Sequence, residues 1–325
     1  MESPITGKQM VLRYEKRIIP FRKEDFEVHF HFWLCEDSDE KFEDERLSEL
    51  NINQVYNQYR AKHNIPTTDE ICRIREMYHI PANKMADILG FGANQYRQYE
   101  AGEIPSVSNG RLIMQAADPN VFVKMVKSAK SEIGEEYAQD LIQKIMSKMN
   151  GTNAVEIPDY SEPITVFTGY KRPSLQRFWN MVIFFSDCVK PFKVKLNKLL
   201  FYSDFYHFKM YGNSISGKIY RAIPFGTVPK DFQEDFAKGV LYGVLELNTV
   251  PLFDYNAEQF VGKIPFQNEL FSPNEIETMQ IIAEVFMTKS NEQMIHINHL
   301  ESAWIECEKE RQLVSYNFAF DLKAV

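Results

Sequence analysis

The chain has 325 residues, of which 44% are hydrophobic and 25% charged, and this balance excludes a disordered chain. Its net charge of −8 excludes a protein that binds nucleic acid through an overall basic field, so any DNA binding must use a local patch. The length predicts two or three domains.

The four cysteines are widely spaced and form no C-x-x-C pair, which favours a reducing compartment over a disulfide framework. The first ten residues lack the apolar segment of a signal peptide. No apolar run approaches the length of a membrane span. We therefore expect a cytoplasmic protein that has no contact with a membrane.

The first 50 residues predict a β-hairpin. The segments MVLRYEKRII and FEVHFHFWLC flank a polar turn, PFRKED. Val28, Phe30 and Phe32 alternate with the residues between them, as expected for a strand with two different faces. A lone hairpin is marginally stable in water, so we expect this one to dock on the helices or on a second subunit.

Residues 51–149 are predicted to be helical. A capping box from Thr67 to Glu70 begins one helix, Gly90 interrupts the pattern after the next helix, and Gly102 ends a third, ANQYRQYEA. The segment that follows, residues 150–173, contains several Gly and Pro residues and predicts a linker.

The third of these helices has two chemically different faces. On a helical wheel Tyr96 and Tyr99 share one face, which we expect to pack on the two preceding helices. The other face carries amide and guanidinium groups, which suit the base edges of adenine and guanine. The predicted DNA-contacting residues are Asn94, Gln95, Arg97 and Gln98. The alternative is that this face is the solvated surface of a structural three-helix unit. The positive and negative charges of this region are balanced, so its charge favours neither interpretation.

The segment IREMYHIPANKMADILGFGANQYRQYEAGEIPS resembles the Xre-type helix-turn-helix, and more closely the antitoxin branch typified by MqsA. The resemblance covers about residues 51–116. It implies a dimeric repressor that binds an inverted-repeat operator and that carries a zinc ribbon before its DNA-binding domain. It also implies an ion pair between Arg75 and Glu100. The family's contacting Asn falls on Asn94, whereas its contacting Arg falls on Gln98, with Arg97 next to it.

The implied zinc ribbon has lost most of its cysteines. Its two C-x-x-C positions are occupied by SPIT, from Ser3 to Thr6, and by CEDS, from Cys35 to Ser38. Because hydroxyl groups are poor zinc ligands, we expect neither a metal nor another cofactor. A site formed by the two strand histidines and Cys35 is a less favoured alternative.

Three separated blocks in the second half resemble the Panacea (SocA-like) domain. VKLNKLLFYSDFYHFKMYG matches a Lys-Leu-x-Lys-Leu-Leu-x-Tyr helix. SGKIYRAIPFGTVP matches an Ala-x-x-x-Gly-Pro-Val turn, with Thr227 in place of the Pro. HLESAWIECEKERQLVSY matches a late Ser-His-x-x-x-x-Trp block loosely, through Asn298, His299 and Trp304. The resemblance implies an antitoxin domain that binds and neutralises a toxin, or a proteolytic adaptor.

We expect this second domain to bind its partner through aromatic anchors, because a few such residues carry most of the energy of tight interfaces. The candidate partner-binding residues are Tyr202, Phe205, Tyr206, Tyr220 and Phe225. The leucines of the same helix predict its core face. Its lysines, Lys193, Lys195 and Lys198, predict a solvated stripe.

We do not expect an enzyme. Cys307 with His296 or His299 is conceivable as a nucleophile and base, but no oxyanion-hole motif, phosphate-binding loop or metalloprotease motif accompanies them.

The predicted fold is mainly α with a small N-terminal β-hairpin, and it comprises a helix-turn-helix domain and a largely helical α+β domain. The predicted regions are a degenerate ribbon (1–50), the helix-turn-helix with following helices (51–149), the linker (150–173) and the Panacea domain (174–325). The predicted function is that of a homodimeric, DNA-binding antitoxin of a type II toxin–antitoxin system, which represses its operon and neutralises a cognate toxin. The alternative is a prophage-type transcription regulator or proteolytic adaptor without a toxin.

Overall fold

The computed structural model describes residues 1–151, 162–252 and 255–325. The helices are α1 (Glu45–His63), α2 (Thr68–Met77), α3 (Ala82–Leu89), α4 (Gln95–Glu100), α5 (Val107–Gln115), α6 (Pro119–Ser128), α7 (Lys130–Ile133), α8 (Glu135–Gly151), α9 (Leu175–Cys188), α10 (Lys193–Tyr211), α11 (Phe232–Leu241), α12 (Pro273–Phe286), α13 (Asn291–His299) and α14 (Ser302–Cys307). The strands are β1 (Val11–Phe21), β2 (Glu24–Cys35), β3 (Glu40–Phe42), β4 (Tyr220–Ile223), β5 (Gly226–Pro229), β6 (Leu245–Leu252), β7 (Tyr255–Gly262) and β8 (Leu313–Val314). The fold is mixed α and β with an N-terminal hairpin, as the sequence predicts.

Contacts between distant parts of the sequence divide the chain into two compact units. We call Met1–Gln58 with Glu156–Val325 the terminal unit, and Tyr59–Val155, which interrupts it in sequence, the inserted unit. The inserted unit contains twelve Lys and Arg residues and eleven Asp and Glu residues. The negative charge of the chain is therefore carried by the terminal unit.

Strands β1 and β2 form the N-terminal hairpin, to which β3 adds a third antiparallel strand. Their register pairs Glu15 with Phe30, and the turn consists of Arg22 and Lys23. Both turn residues have positive φ angles, 49° and 68°, as in the two-residue turns that match the twist of a hairpin.

Helix α1 covers the edge of β2 with side-chain amides. Asn51 accepts from the backbone N–H of His31 at 2.8 Å and donates to its carbonyl at 2.9 Å. One turn later, Gln54 makes the same pair of bonds to His29, at 2.9 and 2.8 Å. These amides replace a neighbouring strand and satisfy an edge that would otherwise be open. The predicted docking of the hairpin on a helix is thus confirmed.

The other contact of the hairpin is with the C-terminal 3-10 helix, Tyr316–Asp321. The hydroxyl of Tyr14 donates to Asp321 Oδ1 at 2.6 Å, and the ring of Phe320 lies 4.5 Å from that of His31. Burial lowers the pKa of His31 to about 4. The two ends of the chain therefore pack together within the terminal unit.

Helices α9 and α10 form the centre of the terminal unit. Leu196, Leu199 and Leu200 of α10 are fully buried, which confirms the predicted core face. Around these helices pack α12, the antiparallel sheet β5-β4-β8 and the hairpin β6–β7. Because α10 is covered on nearly all sides, its polar residues must find partners inside the protein.

The inserted unit is a bundle of short helices with its own core. The predicted capping box is present, since Thr67 Oγ1 accepts from Glu70 N while the Glu70 carboxylate accepts from Thr67 N. Gly90 ends α3 with a left-handed φ of 71°. Tyr78 stacks on Phe122 with 3.9 Å between ring centroids, which joins the first helices of the unit to α6.

Residues 152–161 of the predicted linker lie outside the described residues. Its later part, from 162 to 173, is described and belongs to the terminal unit. It contains a 3-10 turn, Val166–Thr168, whose Thr168 carbonyl accepts a hydrogen bond from Ser214 Oγ at 2.8 Å. Within the ranges that the structure covers, we find no helix with both the length and the hydropathy that crossing a membrane requires.

Candidate functional site

Helix α4 turns its tyrosines inward, as the helical wheel predicts. Tyr96 is fully buried and its hydroxyl donates to the carbonyl of Ile71 at 2.8 Å. Tyr99 is also buried, and its hydroxyl accepts from Asn109 Nδ2 at 2.8 Å. The rings therefore fix α4 against α2 and α5.

The four predicted DNA-contacting residues lie on or next to the opposite face. Asn94, Arg97 and Gln98 are exposed. Gln95 is half-buried and donates from Nε2 to Glu103 Oε1 at 3.3 Å. The structure thus brings these side chains together on one short, exposed element whose buried side is held by aromatic packing.

The ion pair implied by the Xre resemblance is present. Arg75 Nε lies 2.6 Å from Glu100 Oε1, so α2 is connected directly to the end of α4. The same guanidinium donates to the carbonyl of Ile80, in the turn before α3, at 3.1 Å. One side chain therefore joins all three helices of the predicted DNA-binding region.

In the terminal unit, residues from the three separated sequence blocks converge on the backbone of Thr227. Lys198 of α10 donates to the Thr227 carbonyl at 2.8 Å, and Asn298 of α13 accepts from the Thr227 N–H through Oδ1 at 2.5 Å. All three residues are buried. Burial lowers the pKa of Lys198 to about 7, because the interior disfavours its charged form.

Gly226, which precedes Thr227, has to be glycine for this arrangement. Its φ is +98°, a conformation that L-residues rarely adopt. A Cβ atom there would also lie 2.7 Å from Lys198 Nζ and closer still to the Asn298 oxygen. The turn between β4 and β5 therefore sits directly against the side chains of α10 and α13.

Trp304 of α14 holds the end of β4, the strand that leads into the same turn. Its Nε1 donates to the carbonyl of Ile223 at 2.8 Å. The ring of His299 stacks on Trp304 with 3.8 Å between centroids. At the tip of the turn, Phe225 is 65% exposed. A short turn fixed from both sides thus presents one aromatic side chain to solvent.

Of the five predicted partner-binding aromatics, the structure places three in the core. Tyr202, Phe205 and Tyr220 are fully buried, and the Tyr220 hydroxyl donates to the buried carboxylate of Asp204 at 2.7 Å. Tyr206 is half-buried and Phe225 is exposed. These two keep surface that another protein can contact.

The sequence analysis did not single out two exposed neighbours of this region, Leu300 and Ile305, which are 51% and 52% exposed. Leu300 follows α13, and Ile305 follows Trp304 on α14. An apolar residue on a short helix gives the same sequence signal whether it faces the core or solvent, so the sequence offered no means of finding them.

The predicted solvated stripe of lysines on α10 is wrong. Lys195 and Lys198 are buried, and Lys193 is only partly exposed and pairs with Glu258. Lys195 Nζ donates to the carbonyls of Met287 and Lys289, both at 2.8 Å, at the end of α12. Backbone carbonyls in the interior accept hydrogen bonds from these ammonium groups. The lysine spacing that predicts a solvated face therefore belongs to a buried helix.

Cys307 does not have the environment of a nucleophilic cysteine. Cys307 is buried, and burial raises the pKa of its thiol, which opposes formation of a thiolate. His299, one of its suggested partners, is stacked on Trp304.

Side chains from both of the predicted ribbon knuckles lie close together. Thr6 Oγ1 lies 3.4 Å from Cys35 Sγ, and Ser3 Oγ accepts from the N–H groups of Ile5 and Thr6 at 3.3 Å. Hydrogen bonding, from Ser3 first and also from Thr6, lowers the pKa of the Cys35 thiol to about 6. Within the described residues, no group of three or more His, Cys, Asp or Glu side chains is placed to hold a metal.

Comparison with known proteins identifies part of the terminal unit. The family model described as "Antitoxin SocA-like, Panacea domain" matches residues 196–305, which include Lys198, the Gly226 turn, Asn298 and Trp304. No curated protein and no solved structure matches the chain. Residues 196–305 are thus an antitoxin-like domain of the SocA (Panacea) type.

Proposed function

We propose that the protein is a DNA-binding antitoxin of a type II toxin–antitoxin system, in which the terminal unit binds and silences a toxin and the inserted unit binds the operator. On this proposal Asn94, Gln95, Arg97 and Gln98 contact base edges, and the protein represses its own operon in the cytoplasm. The exposed amide and guanidinium face of α4 supports the DNA-binding part. The antitoxin-like domain supports the toxin-binding part.

The observation that carries the toxin-binding proposal is the exposed ring of Phe225 on a turn that Lys198, Asn298 and Trp304 hold in place. Because the backbone on both sides of Phe225 is fixed before binding, little backbone freedom is lost when a partner covers its ring. Aromatic residues are typical anchors of tight interfaces. The turn also lies within the blocks that match the family model, so the anchor is part of the domain rather than of an added loop.

We further propose that the protein acts by contact rather than by catalysis. Neutralisation by contact requires that the toxin and antitoxin stay bound when both are diluted in the cell. A nanomolar Kd corresponds to a binding free energy of about 12 kcal/mol. The buried thiol of Cys307 is consistent with this mode of action, because it lacks the lowered pKa of a catalytic cysteine.

The test is co-expression of the full chain with the product of its neighbouring gene, followed by growth and pull-down measurements. Phe225→Ala should weaken toxin binding by about 2 kcal/mol or more, which is roughly a 30-fold loss of affinity. Leu241→Ala is the matched control, since Leu241 of α11 is 82% exposed but is not on the turn. Undiminished protection by Phe225→Ala would remove the turn from the interface, and the absence of any toxic neighbour would remove the antitoxin function.

A further inference from the structure

Helix α6 of the inserted unit presents lysines that no carboxylate neutralises. Lys124 and Lys127 lie one turn apart and are both exposed, and we call them the lysine pair. Residues 119–131 contain these two lysines and Lys130 but no Asp or Glu. Lys130 is paired with Glu135 at 3.4 Å, whereas in the described part of the chain neither member of the lysine pair has an acidic partner. Both of its charges are therefore open to an anionic ligand.

A groove between α6 and α8 continues this surface, and we call it the α6–α8 groove. It has a volume of about 710 Å³, and Lys127 and Lys130 line one side of it. The side formed by α8 carries Gln139, Gln143 and Ser147, which follow one another by four residues and so share a face of that helix. Among the residues that the structure describes, no Asp or Glu lines the groove. Its polar groups are thus ammonium, amide and hydroxyl groups.

These polar groups suit the backbone of a nucleic acid. Lysine and glutamine side chains donate hydrogen bonds to phosphate oxygens, and such contacts fix the protein on a duplex without reading its sequence. Gln139 and Gln143 are exposed, so their amides are accessible from the groove. The two remaining lining residues, Ile142 and Met146, are apolar and bring no negative charge that would repel a phosphate.

The lysine pair lies beside the predicted DNA-binding region. A smaller groove of about 260 Å³ is lined by Lys124 and Ser128 together with Ile88 and Leu89. These last two residues end α3, directly before the Gly90 turn that leads to α4. Because the terminal unit carries the net negative charge of the chain, phosphate contacts are expected in the inserted unit, where the lysine pair is found.

Helix α4 by itself supplies little charge for phosphates. Its predicted base readers include three neutral amides, and Arg97 is the single cation of the helix. Neutralisation of phosphates nevertheless supplies a large part of the affinity of proteins for DNA, and each contact adds about −0.9 to the slope of log K against log salt concentration. A protein that reads bases through α4 therefore needs further exposed cations in the same unit, and the lysine pair provides two.

We propose that the lysine pair, with Gln139 and Gln143 across the α6–α8 groove, is a second DNA-contacting surface that binds the phosphate backbone of duplex DNA. This inference rests on the proposed function and deepens it, because it separates base reading by α4 from sequence-independent binding by the groove. The lysines contribute full charges, whereas the glutamines add neutral hydrogen bonds. The groove therefore raises the affinity for every duplex and not only for the operator.

The first experiment measures the affinity of the full chain for the DNA upstream of its gene and for a random duplex of equal length, between about 50 and 200 mM salt. Lys124→Gln with Lys127→Gln should weaken binding to both duplexes by about tenfold or more. It should also reduce the slope of log K against log salt by about 2, since each lysine ceases to neutralise a phosphate. Lys263→Gln with Lys309→Gln removes two exposed lysines of the terminal unit and should leave the slope unchanged. A wild-type slope in the Lys124 and Lys127 variant overturns the proposal.

The two duplexes separate this inference from the proposed function. If the wild-type protein binds both duplexes equally but the lysine substitutions still reduce the slope, operator reading fails and the groove is upheld. If the wild-type protein prefers the upstream DNA but the lysine substitutions change nothing, operator reading is upheld and the groove fails. A wild-type protein that binds neither duplex overturns both.

The second experiment locates the DNA on the protein. Gln143→Cys, in a Cys188→Ser background that removes the exposed native cysteine, carries a photo-crosslinker at the α6–α8 groove. Irradiation should join this chain to either duplex, whereas the same label on Glu292→Cys, at an exposed position of the terminal unit, should not react with DNA. The absence of a crosslink from Gln143→Cys overturns the proposal. So does a loss of binding to the neighbouring gene product, rather than to DNA, in the lysine variant, because the groove is then a protein interface.

Discussion

Arg75 Nε lies 2.6 Å from Glu100 Oε1, and this ion pair joins the first and third helices of the predicted DNA-binding region. Both side chains are largely shielded, with 20% and 14% of their surfaces exposed. A partly buried, hydrogen-bonded ion pair of this kind ties the end of α4 to α2, in addition to the contacts of the buried tyrosines. The position of the exposed face of α4 therefore depends on this pair.

Glu100→Ala should lower the free energy of unfolding of the inserted unit by about 1–3 kcal/mol, because Arg75 then loses a charged hydrogen-bond partner in a shielded site. Hydrogen exchange of the α4 amides measures this unit specifically. Asp87→Ala is the control, since Asp87 pairs with Lys84 at 4.0 Å on the surface of the same unit and should cost no more than about 0.5 kcal/mol. If the two substitutions lower the free energy of unfolding equally, the Arg75–Glu100 pair does not stabilise the packing of α4.

Asn94→Ala with Gln98→Ala should cost on the order of 2–5 kcal/mol of operator binding if both amides read bases in two hydrogen bonds each. The two residues are exposed, so the variant should fold normally. Gel shifts on the DNA upstream of the gene, at a fixed salt concentration, measure the loss. Gln115→Ala with Asn120→Ala removes the same two residue types from exposed positions of α5 and α6 and serves as the control. If both double variants bind equally well, α4 does not read the operator.

Local patterns in the sequence predicted much of the inserted unit, because its determinants are short-range. The Thr67 capping box, the inward tyrosines and the glycine after α3 each involve residues within a few positions of one another. The docking of the hairpin on Asn51, Gln54 and Asp321 joins residues that are distant in sequence, and no local pattern encodes it. The prediction for the lysines of α10 failed for the same reason, since Lys195 and Lys198 donate to backbone carbonyls just after α12 and in β5.

The partner-binding aromatics show a related limit. Tyr202 and Phe225 gave the same signal in the sequence, namely an aromatic residue near a family motif. Their difference arises from their places in the fold, because Tyr202 lies on the central helix α10 and stacks on Phe286, whereas Phe225 lies at the tip of the β4–β5 turn. Only the three-dimensional arrangement separates a core aromatic from an exposed anchor.

Gly226→Ala should destabilise the terminal unit more than Gly243→Ala does. Both glycines have positive φ angles, +98° and +70°, so both substitutions introduce backbone strain of about 1 kcal/mol. At Gly243 the added methyl group meets nothing within 4 Å, whereas at Gly226 it meets Lys198 and Asn298. We expect an additional cost of about 1–3 kcal/mol at Gly226. Urea unfolding followed by tryptophan fluorescence measures this cost, because all three tryptophans lie in the terminal unit. Equal unfolding midpoints for the two variants would contradict the contact of the added methyl group with Lys198 and Asn298.

The terminal unit should lose stability as the pH falls from about 6.5 towards 4. Burial lowers the pKa values of His31 and His207 to about 4 in the folded protein. In this range the unfolded chain binds protons that the folded protein excludes, so the free energy of unfolding decreases with decreasing pH. Each histidine contributes a slope of at most about 1.4 kcal/mol per pH unit.

Burial raises the pKa of Asp204, so this residue changes the free energy of unfolding with pH in the opposite direction. A comparison of variants is therefore needed to isolate the effect of the histidines. His31→Gln should flatten the dependence of the unfolding free energy on pH between 6.5 and 4. His296→Gln, at an exposed position of α13, is the control and should reproduce the wild-type slope. A wild-type slope in His31→Gln would mean that this histidine does not remain neutral in the folded protein.

The predicted ribbon should bind zinc when thiolates occupy all four of its knuckle positions. We expect the wild-type protein to bind none, since three of its four knuckle positions are hydroxyls. Yet the oxygen of Thr6 is 3.4 Å from the sulfur of Cys35, and Ser3 also lies close enough to lower the pKa of that thiol. In a tetrahedral site with Zn–S bonds of about 2.3 Å, neighbouring sulfurs are separated by about 3.8 Å, so small movements suffice. Ser3→Cys with Thr6→Cys and Ser38→Cys should therefore yield one zinc per chain by elemental analysis, and a tetrahedral thiolate spectrum when cobalt replaces it. Adding Cys35→Ser to this variant is the control and should abolish tight binding. Stoichiometric zinc in the wild type, or none in the triple variant, would show that the four positions do not form the remnant of a metal site.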